Sequence, residues 1–94
     1  MNQASKPVID YAELAYEWVQ RVDTIGPILE AEAADGEQIR ELTGKAMAAL
    51  HDQCLFRMLL AKKAGGEELP LPVFCRVIEA IAKYDGSAAW CVGQ

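Results

Sequence analysis

The chain has one histidine and three cysteines, and these hold most of its capacity for nucleophilic or metal chemistry. His51 and Cys54 stand three residues apart, which on a helix places them on one face. An imidazole beside a thiol is a base beside a nucleophile. The pattern supplies no third group to orient the base. Cys54, at the apolar end of a helical run, also suits a small core position, and His51 beside Asp52 suits a solvated surface. Cys54, Cys75 and Cys91 follow one another at intervals of 21 and 16 residues, with no CxxC or HxxxH spacing, so a structural zinc site has no ligand set. Gly65-Gly66 invites comparison with a phosphate cradle. The surrounding residues lack GxGxxG or GxxxxGK[ST] spacing and follow no strand pattern, so the pair turns the chain. Glu67-Glu68 beside it reads as loop polarity. Trp90 has two readings: a core residue, or a flat ring facing a planar ligand.

These residues sit in a chain of 94, enough for one small domain. Hydrophobic residues make up 52% and charged residues 24%, the balance of a globular chain. Nine Lys+Arg against fourteen Asp+Glu give a net charge of −5. A net acidic surface repels phosphate, which excludes nucleic acid as a partner and disfavours anionic membrane. No stretch approaches the ~20 apolar residues of a membrane span. The opening MNQASKPVID has no apolar run of the secretory kind. Reduced thiols and a cytoplasmic location are therefore expected.

Helical periodicity runs through almost the whole chain, and no sustained alternation of period two interrupts it. Residues 1–9 are read as a flexible tail. Asp10, with Glu13 three residues on, is an N-cap signal. Tyr11, Leu14, Ala15, Trp18, Val22 and Ile25 recur behind it, and the run continues through Ile28, Leu29 and Ala33. This predicts a helix over Asp10–Leu42, kinked or divided at Gly26-Pro27 because Pro27 lacks a backbone donor. Nine carboxylates lie between Asp10 and Glu41, answered by Arg21 and Arg40. They read as a solvated outer face, or as a docking face for a basic partner. Thr43 is the next N-cap signal, opening a helix over Gly44–Cys54. Leu69-Pro70-Leu71-Pro72 is extended and leads into a helix over Pro72–Tyr84. Val73, Phe74, Val77, Ile78 and Ile81 of that helix are the expected interior. Ser87 is read as the cap of a last helix over Ser87–Gly93. So short and apolar a helix needs a surface to cover, and the chain reads as the N-terminal piece of a longer protein.

The order of these elements resembles the N-terminal helical domain of the acyl-CoA dehydrogenase superfamily. The likeness runs from about Arg21 onward through Ile25-Gly26-Pro27, the turn around Cys54-Leu55-Phe56, Gly65-Gly66 with Leu69, and the helix Val77-Ile78-Glu79-Ala80-Ile81-Ala82. The closing Asp85-Gly86-Ser87-Ala88-Ala89-Trp90 is most similar to the two-component flavin-dependent monooxygenase branch. Two positions depart from the family pattern. Cys54 stands where glycine is common, and Ala64 where an aromatic residue is usual.

The resemblance implies an all-α domain with short connections, occupying residues 10–94 and ending before the family's β-domain. It also implies a parent enzyme that hydroxylates an aromatic or polyketide substrate with O2 and reduced flavin, FAD or FMN. Its expected partners are a flavin reductase and further copies of itself as a homo-oligomer. The 94 residues alone are expected to be inactive and to bind no flavin tightly. No catalytic residue is carried over; Trp90 and Ser87 match positions on the wall of the substrate–flavin cavity. The alternatives are a fragment of an acyl-CoA dehydrogenase and an independent helical interaction module.

Overall fold

The computed structural model describes residues 10–39 and 41–94. The expected tail at residues 1–9, and Arg40, lie outside the described residues. The fold is all-α: α1 over Tyr11–Ile39, α2 over Gly44–Asp52, α3 over Leu71–Tyr84 and α4 over Gly86–Gly93. Two short 3-10 turns, Leu55–Arg57 and Lys62–Ala64, lie between α2 and α3.

The backbone of α1 begins where its cap signal stands, with the Glu13 N–H donating to Asp10 Oδ1 at 3.1 Å. Ala15, Trp18, Val22, Ile25 and Leu29 are buried, at alternating intervals of three and four that keep them on one face. Against expectation the helix runs on through Gly26-Pro27 without dividing. Pro27 is exposed while Gly26 is buried, so the ring faces solvent and removes a single backbone donor. Gly26 has a separate reason to be glycine. A Cβ built there would collide with the Tyr84 ring, which packs on α1 with its hydroxyl donating to Asp23 Oδ1 at 2.8 Å. This contact ties the end of α3 to the middle of α1. Beyond Ile39 the chain turns, the Glu41 N–H reaching back to the Gly36 carbonyl at 3.0 Å. The helix thus ends short of the expected Leu42.

Thr43 caps α2 as its spacing indicates, accepting from the Ala46 N–H at 3.2 Å. Its hydroxyl donates to Glu32 of α1 at 2.7 Å. Helix α2 stops at Asp52, two residues earlier than expected, because Cys54 takes the left-handed conformation (φ 62°). Arg21 crosses from α1 to this end. Its guanidinium lies 3.9 Å over the Trp18 ring and donates to the Gln53 carbonyl.

Helix α3 starts at Leu71 and packs on α1 and α4. Val73, Val77, Ala80 and Ile81 are buried. Phe74 and Ile78, also expected inside, are only half-buried at the edge of the core. They pack against the cluster that Val77 and Ile81 fill without being enclosed by it. No helix among the described residues is long and apolar enough to cross a membrane.

Candidate functional site

The cap of α4 is Asp85, whose carboxylate accepts from the Ser87 N–H at 2.9 Å. This corrects the expectation that Ser87 caps the helix. Ser87 stands inside the first turn, its backbone donor held by Asp85 and its side chain exposed. From this start the helix buries Ala88, Ala89 and Val92. Those three share the inner face, so Trp90, between them in sequence, points outward. It is 72% exposed. The core reading of Trp90 does not hold in this chain.

Trp90 and Ser87 line the same cleft, of about 480 Å³, between the first turns of α4 and the far end of α1. Cys91, Asp85 and Gly86 continue the α4 wall, while Ala33, Gly36, Glu37, Glu41 and Leu42 form the opposite one. The cleft combines a broad π-surface, one hydroxyl and three carboxylates. Such a surface can hold a planar ring by stacking and orient it through a hydrogen bond. Among the described lining residues there is no Lys, Arg or His to hold a phosphate.

The other residues singled out for chemistry are used structurally. The His51 ring packs against Phe56, with centroids 4.7 Å apart, and no hydrogen bond joins it to the Cys54 thiol among the described residues. All three cysteines are free. The Gly65 and Gly66 N–H groups donate to the carbonyls of Lys62 and Ala61, at 2.9 and 3.1 Å, so neither is available to an anion. Gly65 sits at φ +80°, a conformation open to glycine at no steric cost. Arg57, which the sequence reading passed over, fastens this loop by donating to the Gly65 carbonyl from Nε, at 2.8 Å, and from Nη2. Nothing local in the sequence marks it, since its partner lies eight residues on. The acidic face of α1 is also partly accounted for: Asp10 caps, Asp23 holds Tyr84 and Glu32 accepts from Thr43. Among the described residues no cluster of His, Cys, Asp or Glu could hold a metal ion.

The described residues thus form an all-α unit of four helices with a tryptophan-lined cleft at the start of the last. No protein-family model matches the chain. It is 31% identical over 72 residues to the flavin-dependent monooxygenase, oxygenase subunit HsaA, of Rhodococcus jostii (strain RHA1), a match covering 77% of this chain and 19% of that protein. The solved structure of XiaF from Streptomyces sp., in complex with FADH2 and glycerol, superposes with a TM-score of 0.84 at 31% identity. That match covers 88% of this chain and 21% of XiaF. The chain therefore spans about a fifth of the length of the proteins it resembles. In sequence and in fold it is homologous to the N-terminal region of flavin-dependent monooxygenases of the acyl-CoA dehydrogenase type.

Proposed function

We propose that these residues are the N-terminal helical domain of the oxygenase component of a two-component, flavin-dependent monooxygenase. The single observation that carries this is the agreement of sequence and fold with two proteins, one named as the oxygenase subunit of a flavin-dependent monooxygenase and the other solved with FADH2. On this reading the parent hydroxylates a small aromatic or polyketide substrate with O2, and a separate reductase supplies the reduced flavin. FAD is favoured over FMN because the solved relative holds FADH2. The domain assembles with the rest of a longer chain, in a homo-oligomer.

The cleft fits part of such a cofactor–substrate pair. The Trp90 ring and the Ser87 hydroxyl suit the wall beside a planar ring. The carboxylates opposite do not suit a diphosphate, so the groups holding that part of the flavin belong to the remainder of the parent. When bound, reduced flavin supplies the electrons that activate O2. The residues of this chain contribute exclusion and orientation. A large rigid ring keeps water from one side of the reacting centre, and a hydroxyl at the first turn of α4 can hold a polar group of the substrate in register. Ala88 and Ala89 let α4 lie close on α3 and so fix where the Trp90 ring stands.

The test is an assay of the longer protein that carries this domain, supplied with FAD, NADH, a free flavin reductase and phenolic substrates under air. Hydroxylated product that depends on the reductase is the expected result. Dye reduction driven by an acyl-CoA, without any need for reductase, would assign the parent to the dehydrogenases.

A further inference from the structure

The two walls of the Trp90 cleft belong to helices joined mainly through a third. Helix α4 packs on α3, and α3 packs on α1. Where Trp90 stands against Ala33, Gly36 and Leu42 across the cleft therefore depends on how the end of α3 is fixed to α1. Tyr84 is the last residue of α3. Its hydroxyl donates to Asp23 Oδ1 at 2.8 Å, the one side-chain hydrogen bond from α3 to α1 among the described residues. Its ring occupies the space that Gly26 leaves by having no Cβ. The joint to α4 has no slack, because Asp85 alone separates the two helices. The Asp85 N–H donates to the Ile81 carbonyl at 3.0 Å, and the Asp85 carbonyl accepts from the Ala89 N–H at 3.1 Å. Its carboxylate accepts from the Ser87 N–H at 2.9 Å.

We propose that Tyr84, seated on Gly26 and tied to Asp23, is a positioning residue for Trp90: it holds α4 where the indole ring walls the cleft. The inference rests on reading the Trp90 cleft as part of the parent's flavin–substrate cavity, and adds the residues that keep that wall in place. Trp90 is 72% exposed, so its own packing holds it weakly and its place follows that of its helix. Apolar burial between α1 and α3 is non-directional. A hydrogen bond to a carboxylate and a ring seated over a glycine are directional, and they fix one arrangement. A reacting site needs its groups held within about 0.5 Å, and a misplacement of about 1 Å can cost on the order of a hundredfold in rate.

The first measurement is amide hydrogen exchange on the full 94-residue chain, comparing Ala89 and Val92 of α4 with Leu29 of α1. Tyr84→Phe keeps the ring and removes the hydroxyl. Gly26→Ala keeps the hydroxyl, drives the ring off its seat and strengthens α1 through higher helix propensity. Both should speed exchange in α4 relative to Leu29 by about fivefold, the worth of one net hydrogen bond. Arg57→Met, which cuts the hydrogen bonds to Gly65, should leave that ratio unchanged. The second measurement is the ratio of hydrogen peroxide to hydroxylated product in the longer protein. Tyr84→Phe and Gly26→Ala should each raise it. Adding Tyr84→Phe to Trp90→Ala should raise it no further than Trp90→Ala alone, because Tyr84 acts through the ring. Exchange in α4 that matches wild type in both variants, or additive effects of Tyr84→Phe and Trp90→Ala, would overturn the inference while leaving Trp90 a cavity wall. Trp90→Ala with unchanged coupling would overturn the cavity reading, and the role of Tyr84 with it.

Discussion

Cys54 shows how one residue can depart from a family pattern while keeping the backbone the pattern needs. Its φ of 62° lies in the left-handed region, which costs a residue with a Cβ about 1–2 kcal/mol. Glycine avoids that cost, which gives a physical reason for glycine at this turn in the family the chain resembles. The half-buried Cys54 side chain returns some of it by packing against the core. Cys54→Gly is therefore expected to raise stability by up to about 1 kcal/mol. Cys54→Val, β-branched at the same φ, should lower it by about 1–2 kcal/mol. Urea melts of the two variants check the order, and a Gly variant weaker than the Val variant would contradict it.

Tyr84 makes a second prediction at this scale. Its hydrogen bond to Asp23, with some burial and the charges of Asp23 and Glu30, raises its phenol above the ordinary value of 10.0. A proton is thus held more tightly in the folded chain than in the unfolded one. The contribution is fully present below pH ~10 and is lost as pH rises through the folded value. Wild type should lose stability relative to Tyr84→Phe across that alkaline window, and parallel melting curves of the two proteins up to pH 11 would remove the bond from the account.

At the scale of elements, the half-burial of Phe74 changes an energy. A fully buried Phe→Ala costs about 3–5 kcal/mol. Phe74 stands at the edge of the core, so Phe74→Ala should cost about 1.5–3 kcal/mol. Leu50, completely buried where α2 meets the core, should cost about 2–5 kcal/mol as Leu50→Ala. Thermal melts in which Phe74→Ala proves the more damaging would place the core on the wrong side of α3. The helices themselves were legible because their signals are local. Asp10 and Thr43 mark the starts of α1 and α2, and the Val73–Ile81 stripe marks α3. What escaped depends on distant partners. Gly26 reads as a helix breaker until Tyr84, 58 residues later in the sequence, is seen to pack on it. Ser87 and Asp85 are both acceptable caps, and only geometry chooses the carboxylate. The alternation of buried and exposed residues in α4 could not be assigned from eight residues that are nearly all apolar or small.

At the scale of the molecule, α1 is the spine, 29 residues long, with α3 laid along it and α4 turned so that Trp90 faces outward beside its far end. The cleft was half legible: Trp90 and Ser87 could be singled out from their place in a family-like ending. Their partners Glu37 and Glu41 arrive from some fifty residues earlier, and only the length and direction of α1 bring them there. The central claim is that Trp90 walls the cavity in which the parent's oxygen chemistry takes place. The most direct measurement is the ratio of hydrogen peroxide released to hydroxylated product formed, in the longer protein, for wild type and Trp90→Ala. If the ring excludes water from the reacting centre, the variant should fold normally and release several times more peroxide per product, since each tenfold change in partition reflects about 1.4 kcal/mol of differential barrier. A well-folded Trp90→Ala enzyme with unchanged coupling and unchanged substrate affinity would contradict the claim.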